Sequence, residues 1–177
     1  MQITRIFHSG FLVETAKRYF IFDYYKGELP KLNPDKPVYV FASHGHQDHY
    51  EPKVFELLKQ QGIVPKLAIL AKDIKEKKYP DGIPVLKAGF NAHYEIEADF
   101  FVDTFHSTDA GVAYLVTCGE EKIYHAGDLH WWDWPGEPEE DNKMMEQQYK
   151  EELESLKKES IDYAFVVLDP RQEESET

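Results

Sequence analysis

The amino-acid sequence predicts a mixed α/β (α+β) fold, in which two β-sheets pack face to face with helices on the outside, as a four-layer αββα sandwich. Three features support this prediction. Short β-rich runs open the chain, strands and helices then alternate, and a closely spaced series of strands precedes a last helix and a last strand. The chain has 177 residues, of which 42% are hydrophobic. We therefore expect residues 1–177 to form a single domain with its own core.

The first half of the chain is predicted to contain five strands and one helix. The predicted strands are residues 3–7, 11–14, 18–23, 38–42 and 66–71. The fourth of them, VYVFA, is apolar throughout, which is typical of a strand buried on both faces. Between the fourth and fifth strands we predict a helix. Pro52 suits its first turn, and Gly62 suits its end.

The second half is predicted to contain an antiparallel meander, then a helix and a strand. The meander strands are residues 85–88, 94–98, 100–105, 112–117 and 122–125. Residues 141–159 carry apolar side chains at helical spacing and predict an amphipathic helix packed on the core. These side chains are Met145, Tyr149, Leu153 and Leu156. Residues 161–168 predict a last, buried strand, and residues 171–177 an acidic tail that frays.

The charge of the chain argues against nucleic acid as a partner. The formal net charge is -13, from 33 acidic and 20 basic residues, whereas nucleic-acid binding needs clustered Lys and Arg. The nearest basic run, residues 72–78 (KDIKEKK), contains Asp73 and Glu76. We interpret it as a helical turn with a solvated face.

Composition also bears on the compartment. A mean hydropathy of -0.58 and the lack of a long apolar run exclude a membrane-spanning helix. The N-terminus has neither the basic nor the apolar region of a signal peptide, and one cysteine, Cys118, allows no intrachain disulfide. We therefore expect a cytoplasmic protein in which Cys118 is a packed thiol.

A cluster of metal-ligand residue types follows the predicted buried strand. In residues 44–49 (HGHQDH), three imidazoles and a carboxylate lie within six residues. Zinc-class ions take His nitrogen and Asp oxygen as ligands, and Gly45 removes a side chain where the backbone must turn around an ion. The alternative is a polar loop that happens to be rich in histidine. The position at the end of a buried strand favours a metal site.

The same residues carry a family resemblance. His44, His46, Asp48 and His49 match in full the HxHxDH signature, and the chain resembles the metallo-β-lactamase superfamily of metal-dependent hydrolases over almost its whole length. The opening residues 7–14 (FHSGFLVE) and residues 106–109 (HSTD) are similar to the branch related to ascorbate-6-phosphate lactonase.

The resemblance implies two metal sites and a residue that orders them. One ion would be bound by His44, His46, His106 and a bridging aspartate, Asp128. The second would be bound by Asp48, His49, Asp128 and a final histidine, yet no histidine follows His130. We therefore expect either a C-terminally short chain without its last strand and helix, or a second site completed by water or by a partner. Asp23 would help to order the metal loop.

The resemblance also implies a chemistry. A metal-bound hydroxide would attack a small lactone, ester or phosphoester, and Asp48 would orient it and shuttle its proton. We expect one or two zinc ions per chain, although manganese or iron also suits mixed His and carboxylate ligands. One alternative is a non-catalytic metal-binding member of the fold, and another is an RNA-processing nuclease, which the net charge disfavours. The predicted partner is a small-molecule substrate; an exposed strand edge would also favour a homo-oligomer.

Several further residues have two interpretations. His8 either lines the substrate pocket or is an ordinary residue of a strand or turn. His130 could approach the open second metal site, or it could have no role there. Trp131 forms a pocket wall or packs in the core, as do its neighbours Trp132 and Trp134. His93 is interpreted as a solvated turn residue, His125 as a core or supporting imidazole, and Asp109 as a loop hydrogen-bonder.

Overall fold

The computed structural model describes residues 1–169, so the predicted acidic tail, residues 171–177, lies outside the described part of the chain. The chain divides into two compact units, the first being Met1–Gly89 and the second beginning at Phe90. Each unit contains one β-sheet, which confirms the predicted mixed α/β fold with two sheets. Among residues 1–169, no helix combines the length and the apolar character needed to span a membrane.

The first unit is built on a six-stranded sheet. Its strands, adjacent in chain order, are β1 (Gln2–Phe7), β2 (Gly10–Glu14), β3 (Tyr19–Phe22), β4 (Val38–Ala42), β5 (Leu67–Ala71) and β6 (Val85–Ala88). The β1–β2 and β2–β3 pairs are antiparallel, whereas β3, β4, β5 and β6 pair in parallel.

Strand β4 is the buried strand that its apolar sequence predicts. All five of its residues are at most 1% exposed, and the ring of Phe41 stacks on Phe22 of β3 with 4.7 Å between the centroids. Phe22 is paired with Phe41 in parallel register, and Ala42 with Leu70 of β5. The segments that follow β3, β4 and β5 therefore leave the sheet at the same edge.

The pairing of β6 corrects one expectation. Residues 85–88 were predicted to begin the antiparallel meander, but they pair in parallel with β5. The connection, residues 72–84, is long enough for the crossover that a parallel pair requires. It contains a short 3-10 helix, Glu76–Lys78, where the sequence predicts a helical turn.

Helix α1 (Lys53–Gln60) forms where it is predicted. Pro52 stands at its N-cap, and Val54, Phe55 and Leu58 are its buried residues. Gly62 has a φ of +76° and donates its N–H to the Lys59 carbonyl, which ends the helix.

The second unit contains a five-stranded sheet and the long helix. In chain order its elements are β7 (His93–Glu97), β8 (Phe100–His106), β9 (Val112–Cys118), β10 (Glu121–His125), α2 (Glu139–Leu156) and β11 (Tyr163–Phe165). Strands β7 to β10 form an antiparallel meander, and β11 pairs in parallel with β10. His93 lies in β7 rather than in a turn, although it is exposed as predicted.

The last strand differs from its prediction. Residues 161–168 were expected to form a buried strand, but β11 has only three residues, and Val166 and Leu168 are 68% and 79% exposed. The reason is its position at the end of the sheet order, where in the described chain it pairs on one side only.

Three of the four residues of the predicted apolar face of α2 pack on the core, whereas Met145 is half-buried and lies outside the cluster described next. Leu156 is buried in a core cluster with Phe105 and Leu115, and Tyr149 and Leu153 pack against that cluster. Burial of this face attaches the helix to the sheet of the second unit.

Candidate metal centre

The metal loop, residues 43–50, leaves the sheet directly after β4. Because β3, β4 and β5 are parallel, the segments after all three emerge at one edge. Asp23 follows β3 and Asp73 lies in the segment after β5, and both make hydrogen bonds to the metal loop. Ligands often bind at this edge of a parallel sheet, outside the carboxyl ends of its strands.

Asp23 is the buried anchor of the loop. One carboxylate oxygen accepts the N–H of Ser43 at 2.7 Å, and the other accepts the Ser43 hydroxyl at 2.6 Å and Nδ1 of His49 at 2.7 Å. Asp23 is fully buried and has a φ of +41°, and its own N–H donates to the Phe41 carbonyl. Asp23 thus contacts two residues of the metal loop, and its role in ordering a metal site stays a prediction.

These contacts determine which ring nitrogens can bind a metal. His49 donates its Nδ1 proton to Asp23, so its Nε2 carries the lone pair. The Ser43 hydroxyl has one proton, which it donates to Asp23, so it accepts the Nδ1 proton of His44 at 3.0 Å. Nε2 of His44 therefore also carries a lone pair. A single carboxylate thus sets the tautomers of two histidines, as supporting carboxylates do in metal sites.

Burial keeps His44 neutral. Removal from water, and after it the nearby His49, lower its pKa from 6.5 to about 4, against the opposing effect of the negative charge of Asp23. At neutral pH His44 is therefore an uncharged imidazole, which is the form that binds metal ions.

The loop brings its imidazoles together. The ring of His44 lies 4.6 Å from that of His46 and 4.1 Å from that of His49, measured between centroids. The carbonyl of His46 accepts the N–H groups of His49 and Tyr50, which closes the loop into a turn. His46 and Asp48 are exposed, whereas His44 and His49 are buried.

Two residues that the sequence analysis missed hold Gly45. Its N–H donates to Asp73 at 2.8 Å, and its carbonyl accepts Nζ of Lys78 at 2.9 Å. A Cβ at this position would lie 3.2 Å from the same Asp73 oxygen, so a side chain would press on the contact. Asp73 and Lys78 belong to the run interpreted as a solvated face. Their role depends on the pairing of β5 beside β4, which the sequence does not reveal.

His8, Asp48 and His49 form a group with metal-ligand geometry inside the first unit. Each offers one ligand atom, and these atoms all lie within 4.8 Å of one another. The His8 ring meets the His49 ring edge-on, with 5.3 Å between centroids. Two imidazoles and a carboxylate are a donor set that suits zinc, manganese or iron, so these residues fit the predicted kind of ion.

The second unit presents its predicted ligands in the segments that follow β8 and β10. Thr108 joins these segments, since its hydroxyl donates to the His130 carbonyl at 2.6 Å and accepts the His130 N–H at 3.0 Å. The carboxylates of Asp109 and Asp128 offer oxygens within 4.8 Å of each other. Asp109, interpreted from sequence as a loop hydrogen-bonder, is therefore also a candidate ligand. In the sequence, the one indication of such a role for Asp109 is its position directly after residues 106–108 (HST).

The other predicted residues of the second unit have identifiable neighbours. His106 ends β8, and its ring packs on Phe90 with 4.1 Å between centroids. His130 lies edge-on to Trp132 at 4.9 Å, and Trp132 donates its indole N–H to the Asp128 carbonyl at 3.1 Å. The Trp131 ring faces Nζ of Lys150 at 5.1 Å.

His125 is buried, and its Nδ1 accepts the Gly127 N–H at 3.1 Å. Trp132, which is 9% exposed, stacks on Trp134 with 5.6 Å between centroids. Cys118 is the buried free thiol that the sequence predicts.

Comparison with known proteins identifies relatives. A family described as the beta-lactamase superfamily domain matches residues 2–133. A structure described as a metal-dependent hydrolase from Parabacteroides distasonis is 16% identical, with a TM-score of 0.61 over 95% of this chain and 70% of that chain. A novel metallo hydrolase from the hyperthermophilic archaeon Ignicoccus hospitalis is 17% identical, with a TM-score of 0.54 over 72% of this chain and 60% of that chain.

A third similar structure is CmlA, a diiron beta-hydroxylase from Streptomyces venezuelae, at 14% identity and a TM-score of 0.52. The match covers 74% of this chain and 30% of CmlA, so the chain spans only part of the archaeal protein and of CmlA. At these identities the likeness shows the fold alone. No curated protein matches the chain.

Proposed function

Because this chain belongs to the metallo-β-lactamase superfamily, we propose that it is a metal-dependent hydrolase that acts on a small lactone, ester or phosphoester. The observation that carries the proposal is the Asp23 network, which directs the Nδ1 protons of His44 and His49 away from the ion and leaves both Nε2 atoms as donors. Catalytic metal sites require this control of ligand tautomers.

Within the first unit, we propose His44, His46 and His49 as imidazole ligands and Asp48 as a carboxylate ligand that also orients the attacking water. The ligand roles that the resemblance implies for His106 and Asp128 remain predictions. We propose zinc as the metal; manganese and iron accept the same mixed donors. A bound ion of this class supplies a Lewis acid that polarises a carbonyl or phosphoryl oxygen and lowers the pKa of water.

The residues of this chain would then perform the remaining tasks. Asp48 is exposed at the end of the metal loop, where its carboxylate can accept a proton from the attacking water and return it to the leaving group. The N–H and hydroxyl of Ser43 and the carboxylate of Asp23 keep the imidazoles in place while this proton moves. The buried loop base provides a rigid support, and the exposed loop end provides access for substrate.

For the substrate class, we propose small lactones first, together with related esters and phosphoesters. The support is the similarity of residues 7–14 and 106–109 to the branch related to ascorbate-6-phosphate lactonase. We further propose that the protein acts in the cytoplasm on a diffusible small molecule.

A substrate panel tests this function. The protein, loaded with Zn²⁺ or Mn²⁺, is assayed against lactones, thioesters, phosphomonoesters and phosphodiesters, alongside Asp48→Asn and the control Asp81→Asn, an exposed carboxylate of the same unit. We expect turnover of at least one class, lost about 100-fold or more in Asp48→Asn, since positioned acid–base groups contribute factors of this size. Asp48→Asn should keep at least one tightly bound ion.

Two results would contradict the proposal. Full activity of Asp48→Asn would remove the assigned role of Asp48. Failure of the metal-loaded protein to hydrolyse any class would favour the non-catalytic, metal-binding alternative.

A further inference from the structure

We propose that His8 is a metal ligand, and that His8, Asp48 and His49 together bind one ion inside the first unit. The HxHxDH signature does not include His8, which precedes it by 36 residues in the sequence. The inference rests on the proposed metal-dependent function, and it identifies an additional ligand of the same site.

The topology of the sheet brings His8 to the metal loop. Strand β2 runs antiparallel to β3, with Phe11 opposite Phe22, so the start of β2 lies beside the end of β3. The turn that contains His8 and Ser9 leads into that start, and Asp23 follows that end. His8 and Asp23 therefore emerge at the same edge as the metal loop.

Close packing fixes this turn against Asp23. Gly10 has no space for a side chain, because a Cβ would lie 2.9 Å from the Phe7 carbonyl and 3.1 Å from the Asp23 carbonyl. Asp23 is also the carboxylate that binds Nδ1 of His49. The backbone of one residue thus supports the His8 turn, while its side chain orients the neighbouring ligand.

Contacts within the turn also fix the backbone of His8 and one nitrogen of its ring. His8 has a φ of +52°, a conformation that is uncommon outside glycine, and its carbonyl accepts Nε of Arg5 at 3.4 Å. The Ser9 hydroxyl lies 3.0 Å from Nδ1 of His8. This contact occupies Nδ1, so we assign Nε2 as the nitrogen that binds the ion. A supporting hydrogen bond on the other ring nitrogen is the usual arrangement for a metal-binding histidine.

The donor set is chemically consistent. The ligand atoms of His8, Asp48 and His49 all lie within 4.8 Å of one another, as in a group that could hold one metal ion, and imidazole nitrogen and carboxylate oxygen are the ligands of zinc-class ions. Catalytic zinc sites characteristically have three protein ligands and one position open to water or substrate. His8 and Asp48 are exposed and His49 is buried, so such an ion would be bound from the protein side and accessible from solvent.

Metal binding by His8 can be measured without any assay of activity. Metal-free wild-type protein and His8→Asn are titrated with Co²⁺, followed by visible absorption, and with Zn²⁺, followed by calorimetry. Asparagine tolerates a positive φ, so this substitution changes the ligand and spares the backbone. The control is His93→Asn, another exposed histidine, whose Nδ1 lies 2.6 Å from Asp103 in the second unit.

We expect His8→Asn to lose one ion per chain, or to bind its weakest ion at least about tenfold less tightly, since even supporting residues of metal sites contribute this much. His93→Asn should match the wild type. Thermal melting of the metal-free proteins will show whether His8→Asn is folded, and His8→Gly provides a second variant that also accepts the positive φ.

The outcomes separate this inference from the proposed function. Unchanged stoichiometry, affinity and cobalt spectrum in both His8 variants would overturn the inference, whether or not the protein is a hydrolase. Loss of an ion in these variants, in a protein that hydrolyses none of the panel, would support the His8 site and contradict the hydrolase. Absence of metal binding by the wild type would contradict both.

Discussion

The carboxylate of Asp23 and Nδ1 of His49 form a buried contact of 2.7 Å between the end of β3 and the metal loop after β4. The same carboxylate binds the backbone and the hydroxyl of Ser43, and through that hydroxyl it sets the tautomer of His44. The metal binding that we propose for the loop would therefore depend on a residue 20 positions before Ser43 in the chain.

Replacement of this carboxylate should weaken metal binding. In Asp23→Asn, an amide takes the place of one acceptor oxygen, so His49 and Ser43 lose charge-assisted hydrogen bonds. We expect metal affinity to fall about 10- to 100-fold, measured by competition with a chromophoric chelator. Asp103→Asn is the matched control, because it alters an exposed His–Asp contact of similar length. Equal affinities of the two variants would contradict the anchoring role of Asp23.

Removal of the Asp73 carboxylate should weaken a second support of the metal loop, the hydrogen bond to Gly45. Asp73→Ala leaves the Gly45 N–H without its carboxylate acceptor, and we expect a loss of about 1 kcal/mol in the free energy of unfolding. Metal affinity should also fall, because Gly45 lies between two ligand candidates. Asp81→Ala, at an exposed position on the same unit, is the control for urea unfolding and metal titration. A variant with wild-type metal affinity would show that the Asp73 contact does not support the site.

The metal-free protein should lose stability in acid because of His44. Its pKa is about 4 in the folded protein and 6.5 without burial, so between these values the unfolded chain binds the additional proton. Stability is therefore highest above pH 6.5 and falls as the pH decreases to about 4, by about 3 kcal/mol at most from this residue.

Urea unfolding at several pH values, with a chelator present, measures this loss. His44→Asn should show a shallower decrease of stability between pH 6.5 and 4 than the wild type, because it lacks the titrating ring. Identical pH profiles for the two proteins would contradict the depressed pKa of His44.

The amphipathic interpretation of α2 can be tested by truncation of one side chain. Leu156→Ala removes a buried side chain that packs with Phe105 and Leu115, and we expect a loss of about 2–3 kcal/mol in the free energy of unfolding. Met144→Ala, at a side chain that is 65% exposed on the same helix, should change it by less than about 0.5 kcal/mol. Tryptophan fluorescence reports on this unit, since all three tryptophans lie at positions 131–134. Similar losses in both variants would contradict the assigned buried face.

The sequence predicts those features correctly that depend on residues close together in the chain. HxHxDH occupies consecutive positions, and the superfamily that it indicates is confirmed by the family match over residues 2–133. The apolar run of β4 and the helical spacing of α2 likewise follow from neighbouring residues, and both elements form as predicted.

Long-range pairing was the part that local patterns could not predict. Residues 85–88 have the composition of any short strand. Their composition does not reveal that they pair in parallel with β5, which the structure shows. Asp73 and Lys78 reach Gly45 because β5 lies beside β4. Val166 and Leu168 lie beyond the three-residue strand β11 and are exposed, and strand composition does not encode where a strand ends.

The central claim is that the loop after β4 binds metal, and the metal content per chain tests it most directly. Metal-free protein is incubated with excess Zn²⁺, passed through a desalting column and analysed for protein-bound zinc, beside a His44→Ala/His46→Ala variant. We predict between one and two ions per chain in the wild type and at least one fewer in the variant. Zinc retained equally by both proteins, or by neither, would contradict the claim.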